Sequence, residues 1–148
     1  MIVRPAGAAD LDAWAALRVA LWPDEGSAAE HRAEAAETLE KPETFATFVA
    51  QAPDGTIAGF VEAALRHDYV NGCETSPVAF VEGIYVRPEH RMTDVARALV
   101  DAVAAWGRAQ GCSELASDAL IDNLDSHAFH RAIGFEETDR VVYFRRGL

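Results

Sequence analysis

The chain has 148 residues, half of them hydrophobic, which is enough for a single domain (1–148) to bury a core without metal or disulfide support. Its formal net charge of -11, from 24 acidic residues against 13 Lys plus Arg, argues against nucleic-acid binding and favours a cationic small molecule, although solubility alone explains most of the individual charges. Neither Cys73 nor Cys112 has a metal-ligand spacing, and no apolar run approaches the roughly 20 residues that span a bilayer, so we expect a metal-free protein of the cytoplasm with no membrane partner.

The first half of the chain predicts one strand, two helices and a β-hairpin. Apolar residues recur at helical spacing after Asp10, and Pro23 ends that helix. Ser27 and Glu30 have the capping-box spacing that begins a second helix, which Pro42 ends. The predicted elements are, in chain order, a strand at Ile2–Pro5, the helices after Asp10 and Ser27, and hairpin strands at Thr44–Ala52 and Thr56–Leu65 around the turn Pro53-Asp54-Gly55.

A polar stretch, Arg66–Ser76, then interrupts the sheet, and loops of this kind often carry function. After it the pattern predicts a long strand, a helix, a short strand, a short helix and a final strand. These are Pro77–Val86, Thr93–Gln110, Glu114–Asp118, a helix around Ser126–Ala132, and Glu137–Arg145. The order β-α-α-β-β-β-α-β-α-β predicts a mixed sheet with helices on its faces.

The segment from Phe80 to Ala96, FVEGIYVRPEHRMTDVA, is the most informative part of the chain. It predicts a buried strand, a Val-Arg-Pro turn, and a loop that opens onto a helix. A helix start presents unpaired N–H groups and the positive end of the helix dipole, which suits a phosphate or pyrophosphate. Arg87 and Arg91 flank the same loop, so we expect an anion-binding junction here.

This loop resembles the acyl-CoA loop of the GCN5-related N-acetyltransferases (GNAT), whose usual form is Gln/Arg-x-x-Gly-x-Gly/Ala. Here it reads Arg91-x-x-Asp94-x-Ala96, and Asp94 departs from the family's glycine. A late family motif is also matched, by Asn123, Ser126, Phe129, Gly134 and Phe135. The resemblance implies an α+β protein with the GNAT fold, in which a mixed, mostly antiparallel central sheet has a splayed parallel strand pair and helices on both faces.

Within that superfamily the chain is similar to the aminoglycoside 6'-N-acetyltransferases. The segments that carry this similarity are Leu21-Trp22-Pro23, Arg66 to Cys73 (RHDYVNGC), Val81 to Ile84, Ala116 to Asp118 and Gly134 to Thr138. The resemblance implies direct transfer of an acetyl group from acetyl-CoA to the 6'-amine of an aminoglycoside antibiotic in a ternary complex, with resistance as the consequence. It also implies a homodimer.

The same resemblance implies which residues meet acetyl-CoA. The strand before the loop would expose backbone groups to the pantetheine arm and the thioester, and the loop amides would bind the pyrophosphate. A backbone N–H near Tyr85 is the expected donor to the oxyanion. The residues assigned to the cofactor are Ile84, Tyr85, Val86, Arg91, Met92, Thr93, Asp94, Val95, Ala96, Asn123 and His130.

An amine attacks a thioester only after it has lost a proton, and a positioned carboxylate that takes the proton contributes typically about 10² to 10⁴-fold. Glu82 and Asp118 are the acids that the topology brings to the cleft, and the resemblance points to both. We assign Glu82 to orienting and deprotonating the amine, with Asp118 as second ligand or alternative base. Charge complementarity alone is nearly as good an interpretation of either.

Many acetyltransferases carry a Tyr four residues before the motif glycine, where this chain has His130. A histidine can protonate the departing thiolate, but a histidine on a helix surface without that role is the simpler interpretation. The acceptor pocket should combine acids with aromatic walls. Trp22 and Tyr69 supply the rings, although Trp22 fits core packing equally well.

Two alternatives stay open. The acceptor is another small amine, such as a polyamine, or the protein binds a polycation without efficient catalysis because of Asp94. A carboxylate about 5 Å from a phosphate charge is repelled by roughly 3 kcal/mol at an effective dielectric of about 20, unless Asp94 turns outward and caps the helix that it starts.

Overall fold

A computed structural model describes residues 1–148. The strands are β1 (Ile2–Pro5), β2 (Phe45–Gln51), β3 (Ile57–Arg66), β4 (Val78–Val86) and β5 (Leu115–Ser117). The helices are α1 (Leu11–Leu21), α2 (Ala28–Leu39), α3 (Val95–Ala109) and α4 (Leu124–Ala132), and short 3₁₀ turns lie at Ala8–Asp10 and Pro88–His90. All but the last of the predicted elements are therefore present, with ends displaced by a few residues at most.

One sheet contains the five strands in the order β1-β2-β3-β4-β5. Neighbouring strands are antiparallel except β4 and β5, which are parallel. The mixed sheet with a parallel pair, which the sequence and the resemblance predict, is confirmed. A parallel pair needs a long crossover connection, and here α3 provides it.

Two apolar layers cover opposite faces of this sheet. Helix α3 packs on one face through Val95, Leu99 and Val103. Helices α1 and α2 cover the other face, where Trp14 of α1 is completely buried. Because successive strand residues point to opposite faces, Phe60 of β3 packs with α1 and its neighbour Val61 packs with α3.

The start of α2 has the predicted capping box. The Ser27 hydroxyl accepts a hydrogen bond from the Glu30 N–H at 3.2 Å, and the Glu30 carboxylate accepts one from the Ser27 N–H at 3.4 Å. These reciprocal bonds satisfy two of the N–H groups that every helix start leaves open. The local sequence chemistry therefore sets this boundary, as predicted.

The predicted last strand, Glu137–Arg145, is wrong for this chain. The residues after α4 have no strand partner, and Val142, Tyr143 and Phe144 are 71%, 81% and 92% exposed. A strand requires a neighbour for its backbone groups, and the chain crosses the loop after β3 instead, with Thr138 against Gly72. A Cβ atom at Gly72 would lie 2.0 Å from the Thr138 hydroxyl oxygen.

None of the helices combines the length and the apolarity that a bilayer crossing requires.

Candidate active site

The parallel strands β4 and β5 separate next to the two predicted acids. Their register ends at Val81 opposite Ser117, and β4 continues alone on that side to Val86. Glu82 and Asp118 each follow the last paired residue of their strand, so the topology brings them to neighbouring positions at the mouth of this splay. Asp118 is exposed there.

A β-bulge in β4 sets the direction of Glu82. Gly83 faces Glu62 of β3, while Val81 faces Ala63, so Glu82 has no residue opposite it. The extra residue of a bulge bends its strand and re-aims the side chain, and bulges are frequent beside active sites. The bulge therefore presents the Glu82 carboxylate at the splay.

The structure places a partner on Glu82 that the sequence reasoning missed. Arg66, the last residue of β3, donates to Glu82 Oε1 at 2.9 and 3.1 Å and to Oε2 at 2.9 Å. The guanidinium also lies over the Phe80 ring, with Cζ 3.5 Å from the ring centroid. Both side chains of the pair keep contact with water, at 41% exposure for Arg66 and 34% for Glu82.

Trp22 lies beside the same bulge. Its ring is so close to Gly83 that a Cβ atom there would be 2.4 Å from the indole. The ring stacks on His31 of α2 with centroids 6.4 Å apart and meets Phe60 edge-on at the same distance. Trp22 thus packs against the core and also borders the cleft. Its position is consistent with both interpretations that the sequence left open, core packing and an aromatic wall of the acceptor pocket.

A buried charged network supports Trp22 from below. The Arg18 guanidinium lies 5.0 Å from the Trp22 ring centroid and donates to Glu62 at 2.5 Å. Arg18 Nε also donates to His31 Nδ1 at 3.2 Å, and the Trp14 indole N–H donates to Glu62 at 2.7 Å. Burial raises the pKa of Glu62, and the charge and hydrogen bonds of Arg18 oppose that rise.

The loop between β4 and α3 has its own fixed geometry. Arg91 Nε donates to the Val86 carbonyl oxygen at 2.9 Å, which holds the loop against the end of β4. Met92 has φ 59 and is fully exposed, and the Thr93 hydroxyl donates to the His90 carbonyl oxygen at 2.6 Å. A left-handed residue at this point turns the chain sharply into the helix.

Asp94 is the N-cap residue of α3, but its side chain accepts no capping hydrogen bond. The outward cap that the sequence left as an alternative is therefore not formed. The carboxylate is exposed beside the first turn of α3, where the N–H groups of Val95 and Ala96 have no intrahelical acceptor. These amides suit a pyrophosphate, whereas the charge of Asp94 does not.

The residues of β4 beyond the splay point their side chains into the protein. Ile84 and Val86 pack with the α3 layer, and Tyr85 packs with the α1 layer. The Tyr85 ring also lies 5.3 Å from Cζ of Arg91. Only the backbone of this stretch is open toward β5, which is the arrangement that a pantetheine arm bound through backbone groups requires.

His130 of α4 has both ring nitrogens engaged. Nδ1 lies 2.7 Å from the Ser126 carbonyl oxygen, which can only accept, and Nε2 lies 2.8 Å from the Ser117 hydroxyl. The ring therefore ties α4 to the end of β5. Asn123 caps the start of α4 by accepting from the Ser126 N–H at 3.2 Å.

Tyr69 belongs to the polar loop after β3 and is 78% exposed. Its neighbour Val70 is buried against Phe80, which places the loop beside the cleft. Glu114 fastens the loop further along, because it accepts from the Thr75 N–H at 2.7 Å and from the Thr75 hydroxyl. These bonds lower the pKa of Glu114.

Arg66 and Phe80 are the site residues that sequence reasoning missed. Two signals were available. Phe80 and Glu82 are two residues apart on one strand, and Arg66 is four residues after Glu62 on another. Because side chains of a strand alternate between the two faces of the sheet, the members of each pair are predicted to lie on the same face. The contact of Arg66 with Glu82 depends on the register of β3 against β4, which the sequence pattern does not contain.

The described residues contain no group of three or more His, Cys, Asp or Glu side chains that could hold a metal ion.

Comparison with known proteins identifies the family of the chain. The model of the acetyltransferase (GNAT) family matches residues 11–135. An aminoglycoside N(6')-acetyltransferase type 1 of Serratia marcescens is 55% identical, with 94% of each chain covered. That of Stenotrophomonas maltophilia is 53% identical, covering 99% of this chain and 93% of the relative.

Solved structures agree as well. AAC(6')-Iy in complex with the bisubstrate analog CoA-S-monomethyl-acetylneamine has a TM-score of 0.92 and 44% identity, covering 99% of this chain and 98% of that one. The apo aminoglycoside 6'-N-acetyltransferase AAC(6')-IG of Acinetobacter haemolyticus has a TM-score of 0.93 and 42% identity over 100% and 99% of the two chains. The chain therefore belongs to the acetyltransferase (GNAT) family and, within it, groups with the aminoglycoside N(6')-acetyltransferases.

Proposed function

We propose that this protein transfers the acetyl group of acetyl-CoA to the 6'-amine of aminoglycosides and so confers resistance to them. The observation that carries the proposal is the position of Glu82 at the splay of β4 and β5, on the strand that leads into the loop and the helix start whose amides suit an anion. The activities in the names of the relatives support the same reaction. A carboxylate beside an open strand backbone is the arrangement that amine acetylation needs.

The chemistry divides between the two sides of the splay. Acetyl-CoA supplies a thioester whose carbonyl carbon forms a bond to the amine nitrogen while its C–S bond breaks. On the acceptor side, Glu82 or Asp118 accepts a proton from the ammonium group, directly or through water. On the other side, a backbone N–H near Tyr85 donates to the oxygen that becomes negative.

The leaving thiolate requires a proton, and His130 is the nearest candidate that the sequence offers. The geometry narrows its role. Since Nδ1 donates to a carbonyl oxygen, the neutral ring accepts at Nε2 from the Ser117 hydroxyl, and only the imidazolium form carries a proton on Nε2. In that form, Ser117 would donate its hydroxyl proton to the thiolate and regain one from Nε2. We therefore propose His130 and Ser117 together as a donor route, with solvent as the alternative source.

Acetyl-CoA is held, in this proposal, mainly by backbone groups. The open edge of β4 from Ile84 to Val86 receives the pantetheine arm, and the amides from Met92 to Ala96 receive the pyrophosphate. Arg91 fixes the loop through the Val86 carbonyl oxygen. Asn123 acts indirectly, as the cap that positions α4.

The acceptor side combines rings and acids. Trp22 borders the bulge, Tyr69 is exposed in the adjoining loop, and Glu82 and Asp118 supply negative charge. Cationic sugars gain from aromatic faces as well as from carboxylates. This combination favours an aminoglycoside over a neutral acceptor.

The test is thiol release from acetyl-CoA with a panel of aminoglycosides that includes pairs with and without a 6'-amine. We expect saturable release confined to the 6'-amino compounds, with one acetyl group in the product by mass spectrometry. No release at saturating acetyl-CoA, together with calorimetric binding of the aminoglycoside, would replace the enzyme with a binding protein. Release with both members of each pair would remove the 6' assignment.

We also propose a homodimer, assembled through the residues after α4. The exposed apolar side chains concentrate in the last part of the chain: Leu120, Ile121, Leu124, Val141, Val142, Tyr143 and Phe144. Strand β5 is an edge with an unpaired side. If the 141–145 segment of one protomer pairs with the β5 edge of its partner, the two-fold axis forms the same contact a second time. Each copy then gains a neighbour for its β5 edge and for its 141–145 segment.

The dimer is tested by sedimentation of the variant Val142→Asp/Phe144→Asp against Leu148→Asp, which adds a charge at an exposed apolar residue outside the 141–145 segment. We expect the first to be monomeric and the second to remain dimeric. A monomeric parent protein would contradict the proposal.

The cytoplasm is the proposed location, since acetyl-CoA is the co-substrate and both cysteines are free thiols. Burial and, to a smaller extent, the neighbouring carboxylate of Glu114 raise the pKa of Cys73. A thiol of this kind is unreactive and persists in a reducing compartment. Cell fractionation followed by activity measurement tests the location.

A further inference from the structure

We propose that Arg66 acts as a built-in competitor for the acceptor's ammonium group, so that the cleft selects multiply charged amines over singly charged ones. The proposal rests on the proposed function, because it assigns the acceptor site to Glu82. It adds a specificity-determining residue to that site.

The first step is that the Glu82 carboxylate already holds a cation. A carboxylate offers about four acceptor positions on its two oxygens, and Arg66 fills three of them at 2.9, 2.9 and 3.1 Å. An ammonium group donates up to three hydrogen bonds. One free acceptor position does not satisfy it, so close binding at Glu82 requires Arg66 to withdraw.

The second step is that Arg66 is held by more than its charge. Its guanidinium lies flat enough on Phe80 to bring Cζ to 3.5 Å from the ring centroid, and planar stacking combined with a bidentate carboxylate is the contact that arginine makes better than lysine. The pair is nevertheless about two-fifths and one-third exposed. Withdrawal into water is therefore open to Arg66, unlike the buried Arg18.

The third step compares the electrostatic gain of a singly charged amine with that of a polycation. An amine with one charge that displaces Arg66 replaces one cation by another, and the electrostatic attraction is unchanged. A polycation brings further charges to Asp118, the next acid at the splay, and to the net -11 of the chain. Only the polycation gains by the exchange, which is how a built-in repulsive element creates specificity.

The experiment compares two acceptors in the parent enzyme and in Arg66→Gln. One acceptor is an aminoglycoside with a 6'-amine, and the other is 6-amino-6-deoxyglucose, which presents the same kind of amine on one sugar with a single charge. We expect Arg66→Gln to narrow the ratio of the two kcat/KM values at least tenfold, chiefly through a lower KM for the single sugar. The KM for acetyl-CoA should not change.

The matched control is Arg32→Gln. Arg32 forms an exposed pair with Asp12, between α2 and the first turn of α1, and neither residue contacts Glu82 or Arg66, so its loss changes the net charge equally while the cleft residues stay the same. The acceptor ratio should stay at the parent value. Arg66→Lys keeps a charge but loses the bidentate stacked contact, so its ratio should lie between those of the parent and Arg66→Gln.

An increased KM of Arg66→Gln for both acceptors, at unchanged acetyl-CoA KM, would overturn the proposal, because Arg66 would then support acceptor binding. An equal change of the ratio in Arg32→Gln would also overturn it, since a general field effect would explain both. If the parent enzyme transfers no acetyl group, the proposed function fails separately. Calorimetric binding of the same two amines to parent and variant then tests the competition directly.

Discussion

Two Arg–Glu pairs have their glutamates on the neighbouring strands β3 and β4, and they differ in their exposure to water and in their further partners. Arg18 and Glu62 have side chains that are 8% and 11% exposed, and each has further buried partners. Arg66 and Glu82 are 41% and 34% exposed and have only each other and the Phe80 ring. The Arg18–Glu62 pair is buried between α1 and the sheet, whereas the Arg66–Glu82 pair lies at the β4 bulge, beside the splay of β4 and β5.

The difference shows that surroundings, not residue type, separate the structural acid Glu62 from Glu82, the acid that we propose for the reaction. Removing one partner of a buried pair leaves an uncompensated charge in the core. A partly exposed pair is stabilised by little, because water replaces either partner at small cost. Glu62 therefore stabilises the fold, whereas Glu82 can, in the mechanism that we propose, exchange Arg66 for the ammonium group of the acceptor.

The largest expected effect is that of Glu82→Gln on catalysis. We expect kcat/KM for a 6'-amino aminoglycoside to fall by about 10² to 10⁴-fold, the range for loss of a positioned base. The free energy of unfolding should change by no more than about 1 kcal/mol, because the Arg66 pair is partly exposed. Steady-state kinetics and urea unfolding of the same preparation measure both.

Asp118→Asn decides between the two acids in that experiment. If it lowers kcat more than Glu82→Gln does, the base is Asp118 and Glu82 orients the amine. A parent-like kcat/KM in Glu82→Gln would refute the assignment of Glu82 altogether.

The reverse pattern is expected for Glu62→Gln. Loss of the carboxylate leaves Arg18 buried beside a neutral amide, so the free energy of unfolding should fall by about 3 to 5 kcal/mol. The matched control is Glu34→Gln, which removes the other carboxylate on Arg18, one whose side chain is 57% exposed, and should cost at most about 1 kcal/mol. Equal losses in urea unfolding would contradict the distinction between buried and exposed partners.

The sequence predicts those features of the fold that depend on contacts between residues close together in the chain. Ser27 and Glu30 identify a helix start because both bonds of a capping box lie within one turn. The turn at Pro53-Asp54-Gly55 identifies the hairpin for the same reason. The topology also predicts that Glu82, on the strand before the loop, and Asp118, at the end of the following strand, come to the same cleft.

Long-range register is what the sequence does not contain. The bulge that aims Glu82 depends on the pairing of β3 with β4, and so does the contact of Arg66 with Glu82. The predicted strand at Glu137–Arg145 contains the β-forming residues Val141 to Phe144 but has no neighbour in its own chain. Pattern predicts that a segment can form a strand, whereas only the assembled sheet provides the partner.

A third pair, Arg4 and Asp10, should give an intermediate result. Asp10 is 8% exposed at its side chain and accepts two bonds of 2.8 Å from Arg4, whose side chain is 34% exposed. We expect Asp10→Asn to lower the free energy of unfolding by about 1 to 2 kcal/mol, the range for hydrogen bonds to a charged group.

The pH dependence checks this pair independently. The Arg4 hydrogen bonds hold the pKa of Asp10 below its ordinary value of 3.8. A lowered pKa in the folded state means that the stabilisation is present above the unfolded pKa and is lost as pH falls through the folded pKa. The difference in unfolding free energy between parent and Asp10→Asn should therefore be constant near neutral pH and shrink below about pH 4. A difference that persists at pH 2 would show that the charge is not responsible.

Asp94 is an acid whose side chain has no hydrogen-bond partner, and its replacement should give the smallest effect, with the opposite sign. Its carboxylate is exposed at the start of α3 and caps nothing, so its removal costs no hydrogen bond. We expect Asp94→Gly to lower the Kd for acetyl-CoA severalfold, because a negative charge near the pyrophosphate amides is removed. Asp94→Asn is the matched control: it keeps the side-chain size and removes the charge, so tightening in both variants assigns the effect to electrostatics. Tightening in Asp94→Gly alone assigns it to closer approach of the backbone, and unchanged or weaker binding in both shows that Asp94 faces away from the phosphates.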